Sequence, residues 1–157
     1  MNRSHVLRIV GIVAVLMAAV LMTGCLKTVP TMSFDPVKPT IKGSDKTLIG
    51  KLILSWTGGF SVGNYDKLTV QFTDDANPAN NIGAPIVVTG LKLVVHPFAK
   101  SAELNLANLA TIVVPAEAFD DGGALKTTTK AKFTLTGTGL LLDPISATAE
   151  VVLEPPV

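Results

Sequence analysis

Residues 51–73 read KLILSWTGGFSVGNYDKLTVQFT, and their spacing decides the fold. Leu52, Leu54 and Trp56 alternate with Ile53 and Ser55. After a Gly58-Gly59 break, Leu68, Val70 and Phe72 alternate with Thr69 and Gln71. A period of two puts the apolar set on one face of an extended chain, so this stretch predicts two half-buried β-strands joined by a loop. The alternation recurs downstream. Ala102, Leu104 and Leu106 alternate with Glu103 and Asn105; Ala131, Phe133 and Leu135 with Lys132 and Thr134; Ala147, Ala149, Val151 and Leu153 with Thr148, Glu150 and Val152. Residues 85–95 are apolar and β-branched, with Gly90 placed as a bulge or bend. Breakers separate the runs at Gly63-Asn64, at 74–78 (DDANP), at 120–123 (DDGG) and at Asp143-Pro144. Pro115 is placed to open one short helical turn over 114–119. No segment after residue 24 keeps a helical period. Seven or eight short strands predict an all-β fold, a single antiparallel β-sandwich over 31–157.

The amino terminus has a different character. Residues 1–8 carry Arg3 and Arg8 and no acid, and residues 9–22 (IVGIVAVLMAAVLM) form a 14-residue apolar run. A helix crosses a bilayer core with about 20 apolar residues, so this shorter run reads as the apolar helix of a cleaved signal peptide. At its end, Leu21-Met22-Thr23-Gly24-Cys25 resembles the lipobox of bacterial lipoproteins, with Met22 where that family more often has Leu. The resemblance implies cleavage before Cys25, a diacylglyceryl group on its thiol and an acyl chain, palmitate for example, on the new amino group. The chain then divides into a signal peptide (1–24), a lipidated tether (25–30) and the sandwich (31–157). In two-membrane bacteria an Asp after the acylated cysteine tends to retain a lipoprotein in the inner membrane. Leu26 stands there, so the resemblance favours the outer membrane if the host is Gram-negative, with the domain facing periplasm or exterior. The alternative is an ordinary secretory signal or signal anchor, with Cys25 a buried thiol.

Composition must be read on the processed chain. The whole sequence has 157 residues and a formal charge of +1; taking 24 residues from it leaves 133 and removes both arginines. Eleven lysines then face twelve acids, a balance of −1. That length suits one domain with its own core. A near-neutral chain without arginine lacks the basic footprint and the guanidinium forks of a nucleic-acid binder. The single cysteine excludes a disulfide framework and any multi-cysteine metal site.

Within 31–156 the apolar spacings resemble a fibronectin type III domain. Leu52-x-Leu54-x-Trp56 followed by Tyr65, Leu68, Val70 and Phe72 is similar to that family's B and C strands, where a strand-B tryptophan packs beneath a strand-C ladder. Leu104-x-Leu106-x-x-Leu109 is similar to strand E and its following leucine. Phe133-x-Leu135, Pro144-Ile145-Ser146, Val151-x-Leu153 and Pro155-Pro156 are similar to strands F and G and the closing prolines. Three features depart from the pattern. Phe133 stands in place of a tyrosine, no tyrosine near Leu109 can form a tyrosine corner, and residues 110–130 exceed what the family needs between E and F. An extra edge strand or a long loop is expected there.

Candidate chemistry is sparse. His96 is the sole histidine after the signal, and none of the six remaining serines lies in a nucleophile-elbow setting. Cys25 is unavailable as a thiolate if it carries lipid. Gly137-Thr138-Gly139 lacks the Lys-Ser/Thr and helix of a phosphate loop and reads as a turn or bulge after strand F. The inventory therefore reads as no enzyme, with no catalytic residue assigned. Two acidic clusters could supply hard oxygen ligands to calcium: Asp74, Asp75, Asn77, Asn80 and Asn81, and then Asp120 and Asp121 before Gly122-Gly123. The same residue types are what turns require. Trp56, Phe72 and Phe133 fall on core faces, whereas Phe60, in the expected B–C loop, and Tyr65 beside it are candidate binding contacts. Residues 126–130 (KTTTK) read as an edge segment guarded by charge. The sequence thus describes a lipid-anchored envelope protein with no cofactor beyond its lipid. Its partners would be the membrane and an envelope protein of unknown identity, met by the sandwich as a structural or interaction module. The alternative is a calcium- or glycan-binding module using the loops at 74–81 and 120–123.

Overall fold

The computed structural model describes residues 30–43, 45–56, 63–74, 76–96, 99–109, 111–139 and 142–155. Seven strands form two antiparallel sheets: β1 (Thr31–Lys42), β2 (Thr47–Ser55), β3 (Gly63–Asp74), β4 (Asn77–Val95), β5 (Ser101–Asn105), β6 (Thr129–Gly139) and β7 (Pro144–Val152). One sheet has the order β1-β2-β5 and the other β4-β3-β6-β7. The strands likened to B and E pair with each other, as do those likened to C and F and to F and G.

Alternation decides which side chains meet between the sheets. Leu52 and Leu54 on β2, Leu68, Val70 and Phe72 on β3, and Ala131, Phe133 and Leu135 on β6 are all fully buried. The rings of Phe34 on β1 and Phe133 on β6 meet across the gap at 4.8 Å between centroids, tilted by 54°. Such tilted contacts suit the ring quadrupoles and join the sheets more firmly than area alone. Strand β1 is interrupted where its register slips between Asp35 and Thr40. Beyond the slip the Pro39 carbonyl accepts from the Glu154 N–H, 3.2 Å, so β1 also borders the end of the second sheet.

Four expectations change. Residues 77–81, read as loop, belong to β4. Asparagine and proline are tolerated there because β4 is an edge strand paired only with β3, and its register slips repeatedly. Leu106 leaves the strand and begins a 3-10 turn, Leu106–Asn108, capped by the Asn105 side chain accepting from the Ala107 N–H at 3.0 Å. The 126–130 stretch is not an edge: Thr129 is buried and opens β6, an interior strand. Gly137, Thr138 and Gly139 lie inside β6 rather than after it.

The long connection from β5 to β6 is a packed cap. The Leu48 N–H donates to the Ile112 carbonyl (3.2 Å) and the Val114 N–H to the Lys46 carbonyl (2.8 Å), so 112–114 runs alongside the start of β2, beyond the end of β5. Pro115 does open a short 3-10 turn, Ala116–Ala118. Ile112, Val114, Ala118, Phe119 and Leu125 are buried, and the Lys46 ammonium lies over the Phe119 ring at 4.3 Å. The insertion thereby closes one end of the core.

Candidate functional site

Strand register sorts every connection to one of two poles. Thr31 pairs with Ser55 and Ser55 with Ser101, so the start of β1, the end of β2 and the start of β5 lie together. Gly63 pairs with both Val95 and Gly139, placing the start of β3 and the ends of β4 and β6 at the same pole. The chain enters the domain here, so this is the tether pole. The far pole gathers the β1–β2 turn, the β3–β4 turn and the 106–128 cap.

Asp74, Asp120 and Asp121 lie at the far pole, and the first two accept hydrogen bonds from turn amides there. Asp74 accepts from the Ala76 N–H at 3.0 Å and closes the β3–β4 turn. The Thr128 hydroxyl, the Ala76 amide and the nearby Lys126 charge, in that order of effect, hold the Asp74 carboxyl below its usual range. Oδ1 of Asp120 accepts from the N–H groups of Gly122 (3.0 Å) and Ala124 (2.8 Å), and Asp121 is exposed beside it. Among the described residues no group of three His, Cys, Asp or Glu side chains stands close enough to hold a metal ion. Asp75 and the Asn77 side chain lie outside the described set.

A depressed Asp74 pKa fixes the sign of a pH effect. The bonds favour the carboxylate, so their stabilisation is present above the unfolded-state pKa of about 3.9 and is lost as pH falls through the lower folded value. Titrating the Ala76 amide by NMR is expected to give a midpoint below that of an ordinary aspartate. A midpoint at or above it would mean that the Thr128 and Ala76 bonds do not form.

Tyr65 is removed from the surface. It is 2% exposed, and burial raises the pKa of its hydroxyl. The cause is a bulge at Asp66: Tyr65 faces Leu93 and Gly137, while Lys67 faces Thr89 and Thr136. The extra residue turns Tyr65 inward, on the same side as Leu68. His96, just past β4, is exposed at the tether pole. Phe60 lies outside the described residues, as do Cys25 and the lipobox residues Met22, Thr23 and Gly24.

Sequence reasoning passed over Leu142. It sits in the β6–β7 turn, where its N–H donates to the Gly139 carbonyl at 3.1 Å and the Gly139 N–H donates to the Asp143 carbonyl at 2.8 Å. It is 84% exposed and has φ of 62°. A side chain with a Cβ pays a steric cost in this left-handed conformation, which glycine avoids. Leu142→Gly is therefore expected to raise stability by about 1 kcal/mol, read as a higher denaturation midpoint with unchanged slope. A fall in midpoint would show that the leucine stabilises the fold. The signal available beforehand was the run Leu140-Leu141-Leu142 in a position where turns are usually polar.

No family model matches the chain, and no curated protein matches it. Eight solved chains match. One of the solved structures is that of a Bordetella pertussis protein provisionally named ApaA, 11% identical, with a TM-score of 0.36 over 81% of this chain and 92% of that one. The sandwich itself stands on its own strand order and register.

Proposed function

We propose that this chain is a lipid-anchored protein of the bacterial cell envelope, with one β-sandwich held close to a membrane through Cys25 and acting by contact with another envelope protein. The observation that carries it is the sequence Leu21-Met22-Thr23-Gly24-Cys25 directly at the end of a 14-residue apolar run, with the chain's sole cysteine at the one place the lipobox requires it. Two or three acyl chains anchor a protein durably, whereas one chain binds only marginally. The interaction role is supported by what the fold offers, a rigid sandwich with a packed far pole, and by the absence of a catalytic set in the sequence. Immunoglobulin-like sandwiches commonly present loops or edges to partners, an analogy from architecture.

Cross-linking in intact cells, with wild type and Cys25→Ser compared, tests both parts. Wild type is expected to fractionate with membranes and to capture a discrete partner. Cys25→Ser is expected to leave the membrane fraction and lose that capture. Retention of the variant in the membrane would overturn the anchor; wild type without any captured protein would overturn the interaction role.

A further inference from the structure

The turn between Phe119 and Leu125 carries a reactive pair. Asp121-Gly122 is the one Asp-Gly step in the sequence, and no Asn-Gly step accompanies it. Both residues are exposed. In such a step the glycine nitrogen can attack the preceding side-chain carboxyl, because no Cβ on the glycine obstructs the approach. Here that nitrogen is engaged. The Gly122 N–H donates to Asp120 Oδ1 at 3.0 Å, and the same oxygen accepts from the Ala124 N–H at 2.8 Å. The Asp120 main chain completes the turn: its N–H donates to the Ala124 carbonyl at 2.8 Å, and its carbonyl accepts from the Gly123 N–H at 2.9 Å. Just outside, Phe119 and Leu125 are both buried and form a β-bridge. A carboxylate that accepts from an amide keeps the proton on the nitrogen, through a charge-assisted bond and through its own negative charge.

We propose that Asp121 is a site of spontaneous backbone modification, isomerising to isoaspartate through a cyclic imide with Gly122, and that the Asp120 carboxylate holds the reaction in check. In the first step the Gly122 nitrogen bonds to the Asp121 carboxyl carbon, and the amide proton leaves with the carboxyl hydroxyl as water. In the second, water opens the imide at either carbonyl. One opening returns aspartate; the other gives isoaspartate, whose side-chain carbon then lies in the main chain. No other reactant enters. The nitrogen must shed its proton to complete the attack, and the bond to Asp120 Oδ1 opposes that loss. Isoaspartate lengthens the main chain inside a turn closed by the four bonds centred on Asp120. The modified turn cannot keep them all, and the Phe119–Leu125 bridge at its base loosens. The far-pole cap thereby carries a slow ageing mark that the intact Asp120 turn suppresses.

Two measurements on the purified full chain test this. Peptide mapping with electron-transfer fragmentation, which separates isoaspartate from aspartate, follows residue 121 during storage in warm neutral buffer. The native chain is expected to convert severalfold more slowly than the same chain unfolded in guanidinium chloride, and native Asp120→Ala to approach the unfolded rate. Adding Gly122→Ala to Asp120→Ala is expected to slow conversion again, because the new methyl obstructs the nitrogen. An unfolded chain that forms no isoaspartate at 121 overturns the site. Equal rates for native wild type and Asp120→Ala overturn the part given to Asp120. Hydrogen exchange of the Gly122 amide in the wild type reads the same bond without any variant, so the outcome does not depend on Asp120→Ala folding. Exchange is expected to be severalfold slower than in the unfolded chain; exchange at the unfolded rate means that Asp120 does not hold the proton, and the proposal falls.

Discussion

Gly137→Ala is expected to cost about 3 kcal/mol or more, read as a large fall in the denaturation midpoint. A Cβ at this position would run into the Asn64 carbonyl oxygen and come within 2.6 Å of the Tyr65 Cα. Both obstacles are backbone on β3, the strand paired with β6 here, so neither can rotate away as a side chain can. The same contact is where the Asp66 bulge bends β3 to bury Tyr65, and no other residue type leaves the two backbones room. A useful comparison is Gly90→Ala. That Cβ meets nothing within 4 Å, but φ is 76°, so only the left-handed penalty applies, about 1 kcal/mol. Chemical denaturation of both variants separates steric exclusion from conformational cost. Equal losses at the two positions would contradict the close approach at Gly137.

Phe133→Ala is expected to lose about 3–5 kcal/mol, a large share of the 5–15 kcal/mol that stabilises a typical domain. Phe133 is fully buried at the centre of β6, which pairs with β3 on one side and β7 on the other, and its ring meets Phe34 from the opposite sheet. Truncation removes apolar burial from one sheet and a contact from the other, and the flanking strands hold the cavity open. Phe133→Leu keeps most of the volume and is expected to cost well under half as much. If the two variants proved equally harmful, the aromatic contact rather than the cavity would dominate.

The parity of apolar residues made most of the sandwich legible. Leu52, Leu54, Leu68, Val70, Phe72, Phe133 and Leu135 are buried as period two requires, and the pairings of their strands agree with it. Parity also explains the failures. Tyr65 and Leu68 are an odd number of residues apart, so a regular strand would put them on opposite faces; the Asp66 bulge, invisible as a spacing, reverses Tyr65. Strand β4 contains Pro78, Pro85, Gly83 and Gly90, a composition of loops, yet an edge strand with slipping register can hold all four. The first strand was obscured by Pro36 and Pro39 in the same way. In the 106–128 cap, Ile112, Val114, Phe119 and Leu125 are buried one at a time from irregular backbone, and no period marks such residues. Among the candidate sites, the acidic residues were found by composition, but composition does not distinguish a ligand from a turn cap. Asp74 and Asp120 accept from their own turn amides. The resemblance of Leu21 to Cys25 to a lipobox lies outside the described residues and rests on the local motif alone.

The anchor at Cys25 is the claim on which the proposed envelope location depends. Intact mass spectrometry of the protein extracted from membranes, together with sequencing of its amino-terminal fragment, addresses it directly. The expected result is a chain beginning at Cys25 and carrying the added mass of a diacylglyceryl group together with an amide-linked acyl chain. A chain that retains residues 1–24, or that begins elsewhere with an unmodified Cys25 thiol, would contradict it.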